Sequence, residues 1–368
     1  MFENVKKNFG FGCMRLPMKD GEIDYAQFNE MVDTFIENGF NYFDTAHGYH
    51  HGKSETALRD CLVARYPREK YVLTDKLTDF FFKTEADVRP FFESQLKTLG
   101  VEYFDFYLMH AQSKNNYGHF KNCRAYEQAF ELKKEGKIKY VGISFHDTAD
   151  VLDRILTEYP QLDAVQIQLN YLDYDDPAIQ SRKCLEVCNK HGKPVIIMEP
   201  VKGGNLVNIP EGAKKYFEAL GTASPASYAI RFAAGQEGVF MVLSGMSNME
   251  QVRDNISYMK DFQPLSDGEL QAVSKVYATI KGLNMIACTA CRYCTDGCPK
   301  SISIPDLFAC LNTKNIYHDW NADYYYDIHT KAGGKASDCI GCGKCEKACP
   351  QHLPIRELLK EVAKEFKK

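Results

Sequence analysis

The sequence predicts an α/β protein: a (β/α)8 TIM barrel over residues 1–280, followed by a smaller cysteine-rich domain over residues 281–368. In the first segment, apolar runs rich in β-branched and aromatic residues alternate with amphipathic helical stretches, which is typical of βα units on a parallel sheet. The composition changes near Lys281, after which nine of the fourteen cysteines occur. A chain of 368 residues is long enough to bury two such cores.

Eight strand candidates recur along the predicted barrel. They cover residues 9–16, 41–45, 71–76, 104–110, 138–144, 164–169, 194–199 and 239–244. Helical stretches such as 25–38 and 125–134 separate them. Eight βα repeats favour a closed barrel, because a doubly wound open sheet, the alternative, would place a GxGxxG after its first strand and none occurs there.

The charge and hydropathy of the chain exclude several classes of partner. A formal net charge of −4 and a pI near 6.2 give no electrostatic reason to expect nucleic acid or an anionic membrane as a partner. The chain has neither a signal-like apolar segment near its N-terminus nor the ~18 uninterrupted apolar residues of a membrane span. We therefore expect a soluble, cytoplasmic protein whose cysteines bind metal in preference to forming disulfides.

The cysteine-rich domain contains the motif C-x2-C-x2-C-x3-C-P twice. Its cysteines are Cys288, Cys291, Cys294 and Cys298 in the first copy, and Cys339, Cys342, Cys345 and Cys349 in the second. Three close thiolates bind three corners of a cubane cluster, while the fourth, before a proline, binds the other cluster. The alternatives are zinc or unmetallated thiols, but a zinc site does not explain the trailing Cys-Pro. We predict two [4Fe-4S] clusters with crossed ligation, in a ferredoxin-like α+β domain.

Residues 285–356 resemble a bacterial-type two-cluster ferredoxin domain, with a longer insert between the motifs. The six remaining cysteines show no pairing pattern and are predicted to be ordinary buried or surface thiols. They are Cys13, Cys61, Cys123, Cys184, Cys188 and Cys310.

Four polar residues lie at or after predicted strand ends in the barrel: Asp44, Tyr49, Lys76 and His110. Chemistry in a (β/α)8 barrel takes place at the C-terminal ends of its strands. Reduction of a carbonyl by hydride leaves an alkoxide, which a tyrosine can protonate if a lysine held by a carboxylate lowers its pKa. A histidine can orient the carbonyl oxygen. Each residue alone also has a structural explanation, such as a loop cap or a buried, hydrogen-bonded histidine.

The barrel resembles the aldo-keto reductase family over residues 8–258. The resemblance rests on FDTAHGYHHGKSE, ESQLKTLGVEYFDFYLMH, EGKIKYVGIS, VQIQLN, EPVKGGNL and SGMSNMEQVRDNIS. It implies that Asp44, Tyr49, Lys76 and His110 form the catalytic tetrad. It further implies a nicotinamide site at Ser144 and Gln166, and a phosphate site at Gly245, Ser247, Asn248, Gln251 and Asn255 near a helix N-terminus.

The family resemblance leaves the choice between NADP(H) and NAD(H) open, because the last loop lacks the Lys and Arg that grip a 2′-phosphate in many relatives, although Arg253 is near. It implies NAD(P)H-dependent reduction of a small-molecule carbonyl, with electron transfer through the clusters to a redox protein partner. Alternatives are a plain aldo-keto reductase with structural clusters, or a redox sensor with an inactive barrel. Nicotinamide would need a flavin to pass single electrons. A flavin is possible, since a (β/α)8 phosphate site could hold FMN without a linear motif, although no motif indicates one.

Overall fold

The structure, a computed structural model, describes residues 2, 4–176, 179–221, 223–283, 285–317, 321–331 and 333–367. Its contacts divide into two compact units. One comprises Met1–Pro200 with Ala226–Ser266, and the other comprises Val201–Pro225 with Asp267–Lys368. The predicted domain boundary lies at residue 280. By contacts, residues 201–225 and 267–280 group with the C-terminal residues instead.

The strands of the described residues form one closed barrel and one small hairpin. They are β1 (Phe9–Gly12), β2 (Met18–Lys19), β3 (Glu22–Ile23), β4 (Tyr42–Asp44), β5 (Val72–Leu77), β6 (Phe104–Gln112), β7 (Ile138–Phe145), β8 (Ala164–Gln168), β9 (Val195–Met198) and β10 (Val239–Gly245). The barrel order is β1, β4 to β10 in sequence and back to β1, with every neighbouring pair parallel. This confirms the predicted (β/α)8 barrel, since each of its strands overlaps a predicted strand.

The hairpin β2–β3 is absent from the prediction. Asp20 and Gly21 join its strands with φ values of 52° and 83°. Two successive residues with positive φ define the turn that joins twisted antiparallel strands, and Asp-Gly is a common sequence for it. The Asp-Gly pair was therefore the signal that could have revealed the hairpin.

Strand periodicity explains why the candidate residues share the barrel interior. Side chains two positions apart on a strand point to the same face. One residue from each of four strands belongs to a buried apolar cluster: Tyr42, Val72, Phe106 and Ala164. The polar residues lie two or four positions further along the same strands, and therefore on the same face. These are Asp44, Lys76, His110 and Gln166. The interior is thus apolar at its N-terminal end and polar at the C-terminal rim.

The helices of the described residues are α1 (Tyr25–Glu37), α2 (Lys53–Leu58), α3 (Glu85–Leu99), α4 (Tyr117–Asn122), α5 (Ala125–Lys134), α6 (Ala149–Glu158), α7 (Ser181–Lys190), α8 (Glu211–Glu218), α9 (Pro225–Ala234), α10 (Met249–Met259), α11 (Asp267–Lys281), α12 (Ile304–Tyr317), α13 (Asn321–Lys331), α14 (Lys344–Ala348) and α15 (Ile355–Glu365). Three of them, α1, α3 and α10, begin at a side-chain cap. Helix α3, for example, starts at a capping box of Thr84 and Asp87 and stops at left-handed Gly100. No described helix is long and apolar enough to cross a bilayer.

The C-terminal unit has its own core, to which the insert between the cysteine motifs contributes. Leu307 and Phe308 of α12 and Leu359 and Val362 of α15 are buried together. Tyr326 of the insert helix α13 stacks on Phe366, with ring centroids 4.4 Å apart. The long insert is therefore packed into the domain through its described residues.

Candidate active site and cysteine cavities

Three of the four predicted catalytic side chains meet around one ammonium group. Lys76 is fully buried, and its Nζ donates to Oδ1 of Asp44 and to the carbonyl oxygen of Thr45, at 2.6 Å each. The hydroxyl of Tyr49 lies 3.4 Å from the same Nζ, at the long end of a hydrogen bond. Asp44 ends β4 and Lys76 lies near the end of β5, so the barrel register brings the pair together.

His110 completes the group from the neighbouring strand β6. Its ring packs edge-on against Tyr49, with centroids 6.0 Å apart. Its Nδ1 lies 2.7 Å from the hydroxyl of Thr78, a partner that the sequence did not point to. The structure thus brings all four predicted residues to the same rim of the barrel.

Burial governs the protonation of this group. Burial, followed by the nearby Asp44 carboxylate, raises the pKa of Tyr49 well above its usual value. The sequence led us to expect a phenol pKa lowered by Lys76, whereas the balance of burial and nearby carboxylates raises it. Burial, then Lys76 and His146, holds the pKa of His110 well below its usual value, so its imidazole is neutral near pH 7. Burial also raises the pKa of Asp44, against the opposing effect of Lys76.

The two residues expected at the nicotinamide are buried opposite each other on β7 and β8. Ser144 pairs with Gln166 in the sheet register. The Ser144 hydroxyl accepts a hydrogen bond from the backbone N–H of Ala111 at 2.7 Å. Nε2 of Gln166 donates to Oδ2 of Asp44 at 3.1 Å. Gln166 therefore also supports the carboxylate that holds Lys76.

The expected phosphate residues surround the start of α10. Asn248 caps this helix by accepting from the backbone N–H of Gln251 at 2.9 Å, and Oε1 of Gln251 accepts from the N–H of Ser247 at 2.7 Å. Gly245 is exposed just before them, whereas Asn255 is buried and donates to the hydroxyl of Ser244 at 3.2 Å. Asn255 thus supports the loop from inside, and the remaining four lie nearer the surface.

A cation beside this loop escaped the sequence analysis. The Arg15 side chain packs against Gly245, since a Cβ on that glycine would lie 3.3 Å from the arginine Cβ. The Ser247 hydroxyl donates to the carbonyl oxygen of Arg15 at 2.9 Å. Arg253, the cation that the sequence suggested, is 67% exposed and pairs with Glu30 at 3.3 Å. Arg15 is therefore the better placed of the two to meet a phosphate.

Replacement of Arg15 by methionine is expected to weaken the binding of NADPH and NADH alike by roughly 10- to 100-fold, because an arginine–phosphate hydrogen bond contributes roughly 1.5–3 kcal/mol. Binding titrations with both dinucleotides measure this. Arg253→Met is the matched control and should change neither affinity appreciably, since Arg253 is exposed and already paired. A loss confined to NADPH would instead assign Arg15 to the 2′-phosphate and contradict the expected weak preference between the cofactors.

The eight motif cysteines surround two separate cavities in the C-terminal unit. The first cavity is lined by Cys288, Cys291, Cys294 and Cys349. The second is lined by Cys339, Cys342, Cys345 and Cys298. Each cavity thus receives three cysteines from one motif and the last cysteine from the other.

The donor set of each cavity suits an iron–sulfur cluster, since cysteines are the only described His, Cys, Asp or Glu residues that line it. Among the described residues, no three His, Cys, Asp or Glu side chains converge as they would on one metal ion. In a cubane each thiolate bonds a different iron, so the sulfur atoms are spread around the cavity. Burial, and then the proximity of Cys291, Cys288 and Cys349, raises the pKa of the Cys294 thiol. Binding of a thiolate to iron removes this cost of ionisation.

The six other cysteines are all buried and unpaired with one another. They are Cys13, Cys61, Cys123, Cys184, Cys188 and Cys310. Burial raises the pKa of Cys61 and of Cys310 to about 11 each. Such thiols are unreactive packing groups near neutral pH.

Comparison with known proteins identifies the family. The model of the aldo/keto reductase family matches residues 8–278, and that of the 4Fe-4S dicluster domain matches residues 287–353. The chain belongs to the aldo-keto reductase family. It is an oxidoreductase of that family with a C-terminal 4Fe-4S domain.

Individual relatives are distant in sequence and match between 61% and 74% of this chain. The chain is 26% identical over 273 residues to the NADH-specific methylglyoxal reductase of Escherichia coli, covering 61% of this chain and 81% of that protein. A solved aldo-keto reductase of Bacillus halodurans in its holo form is 25% identical, with a TM-score of 0.60 over 74% of this chain and 92% of that one. An aldo-keto reductase of Klebsiella pneumoniae in complex with NADPH has a TM-score of 0.59 at 21% identity, covering 73% and 90%, which shows the fold alone.

Proposed function

We propose that the barrel reduces a small-molecule carbonyl with NAD(P)H, and that two [4Fe-4S] clusters exchange electrons with a redox partner protein. The observation that carries the first part is the meeting of Asp44, Lys76, Tyr49 and His110 at the C-terminal rim. Bound nicotinamide supplies a hydride to the carbonyl carbon. The residues of the chain then have to bind the carbonyl oxygen and supply a proton.

In this proposal Tyr49 donates the phenolic proton to the developing alkoxide, so that a hydride and a proton add across the carbonyl bond. Lys76, held by Asp44, stabilises the phenolate that remains. When Nδ1 of neutral His110 accepts from Thr78, its Nε2 carries the proton and can donate to the carbonyl oxygen. The raised pKa of Tyr49 keeps the proton on the phenol until the alkoxide forms.

The relative from Escherichia coli supports a carbonyl substrate and makes NADH a reasonable cofactor. That protein is an NADH-specific methylglyoxal reductase. The loop expected to bind the cofactor phosphate, residues 245–251 and here called the phosphate loop, also contains no lysine or arginine. We therefore propose that the enzyme accepts NADH as well as NADPH.

The crossed ligation of the two clusters is supported by the cysteine sets around the two cavities. The first cluster would use Cys288, Cys291, Cys294 and Cys349, and the second Cys339, Cys342, Cys345 and Cys298. Bound clusters supply one-electron transfer. Cys342 is exposed, which makes the second cluster the one nearer to an external partner.

Cys342→Ser separates electron transfer from a purely structural role of the clusters. We expect it to reduce electron transfer from the chemically reduced, dithionite-treated protein to a one-electron dye at least about tenfold, since one ligand of the second cluster is lost. Reduction of a simple aldehyde by NAD(P)H should persist, because no barrel residue changes. The matched control is Cys310→Ser, which changes a buried thiol of the same domain outside both cavities. A fall in both activities together with a lower melting temperature would support structural clusters instead.

A further inference from the structure

A short segment after β9 belongs to the C-terminal unit and contacts the first cysteine motif. Nδ2 of Asn205 donates to the carbonyl oxygen of Cys288 at 2.9 Å. Nζ of Lys202 donates to Oε1 of Gln351 at 3.0 Å, and Gln351 lines the first cavity. The segment 202–205 therefore contacts both parts of the chain that supply ligands to this cavity.

The backbone of this segment is shaped for a close approach. Lys202, Gly203 and Gly204 have φ values of 49°, 64° and 101°. A Cβ on Gly203 would lie 2.4 Å from the carbonyl oxygen of Thr289, so only glycine allows this contact. Lysine rarely adopts a positive φ, and a residue held there marks a position where local strain is maintained by its surroundings.

The charge of Lys202 is placed where solvent screens it little. The residue is 1% exposed, and charges buried in protein act more strongly than charges in water. Its partner Gln351 lies two residues after Cys349 in the chain. The Lys202 charge therefore lies close to a ligand of the first cavity.

The second cavity has no buried lysine among its lining residues. Lys300 and Lys344 line it, but both are exposed, so water and salt screen them. Arg356 also lines it and pairs with Glu346 at 2.8 Å. Arg292 lines the first cavity in the same way, 54% exposed and paired with Asp306 at 2.7 Å. The two cavities therefore have similar cysteine sets and similar exposed cations, and the buried Lys202 distinguishes them.

We propose that Lys202 is a tuning residue whose buried positive charge holds the reduction potential of the first cluster above that of the second. This inference rests on the proposed two-cluster function. Reduction adds an electron to a cluster, so a nearby cation favours the reduced form, and net charge is one of the factors that set such potentials. Electrons that enter at the second cluster, near exposed Cys342, would then pass downhill to the first.

The test is a redox titration of the anaerobically purified, full-length protein, monitored by electron paramagnetic resonance. Lys202→Met should shift the equilibrium of the first cluster at least tenfold towards its oxidised form, which equals about 59 mV for one electron. Lys202→Arg keeps the positive charge and should shift the redox equilibrium of the first cluster much less. Lys300→Met, which removes an exposed lysine at the second cavity, is the matched control. A Cys342→Ser background lets the first cluster be titrated alone.

The outcomes are distinguishable. A shift in Lys202→Met no larger than that in Lys300→Met overturns the proposal. If Lys202→Met loses iron, Lys202→Gln is measured in its place, since glutamine can still hydrogen-bond to Gln351. Loss of iron in Lys202→Gln as well, with full iron in Lys202→Arg, would assign the charge to cluster assembly and also overturn the proposal. A wild-type protein with fewer than two clusters would refute the proposed function itself, before any variant is compared.

Discussion

Replacement of Tyr49 by phenylalanine is expected to slow carbonyl reduction by roughly 100-fold or more, the usual contribution of a general acid. Phenylalanine keeps the aromatic ring that packs against His110. It removes the hydroxyl that lies 3.4 Å from Nζ of Lys76 and that would protonate the alkoxide. The measurement is kcat/KM for a simple aldehyde with saturating NADH or NADPH.

Two further measurements show whether the loss is chemical. Dinucleotide affinity and iron content should stay normal in Tyr49→Phe, because neither the phosphate loop nor any cysteine is changed. Tyr66→Phe is the matched control, since Tyr66 bonds to Asp33 on the outer surface of the barrel unit and should keep full activity. If Tyr49→Phe reduces carbonyls as fast as the wild type, the tetrad assignment is wrong and the barrel uses another acid.

The pH dependence of reduction provides a second readout of Tyr49. Its pKa is raised by burial and by Asp44, so the phenol stays protonated beyond the ordinary tyrosine value of about 10. Reduction by the wild type should therefore show no loss from phenol ionisation as the pH rises to that value. His110, whose pKa is lowered, stays neutral over the same range.

The sequence was sufficient for the parts of the molecule that depend on local periodicity. Each barrel strand could be located because its apolar run is bounded by helices, and the rim residues followed because chemistry occurs at strand ends. The cysteine spacing alone predicted which four thiols surround each cavity. These features are short-range or are fixed by a fold that many sequences share.

Contacts between residues that are distant in the sequence could not be predicted from it. Arg15 meets Ser247 across 232 positions, and no motif connects them. Lys202 stands in EPVKGGNL, which resembles a barrel-family motif, yet it packs with the C-terminal unit. The raised pKa of Tyr49 could not be predicted either, because it depends on how completely neighbouring side chains exclude water from the phenol. Contacts of this kind are determined by tertiary packing rather than by local sequence.

The other large effect is expected from Cys298→Ser. Wild-type protein purified without oxygen should contain about eight iron atoms, and this variant about four, because one four-iron cluster loses a ligand. Cys298 belongs to the first motif in sequence but lines the second cavity in the structure. Under crossed ligation the damaged cluster is therefore the one held by Cys339, Cys342 and Cys345. Iron and sulfide analysis, with electron paramagnetic resonance of the reduced protein, measures the loss.

Double variants identify which cluster is lost. If Cys298 and Cys342 bind the same cluster, the double serine variant should still contain about four iron atoms, because the second change removes nothing that the first has spared. Cys298→Ser combined with Cys291→Ser should then lose nearly all iron, since one ligand of each cluster is gone. Uncrossed ligation predicts the reverse pair of results. The comparison needs no assignment of spectra, because the number of iron atoms alone decides between the two ligand sets.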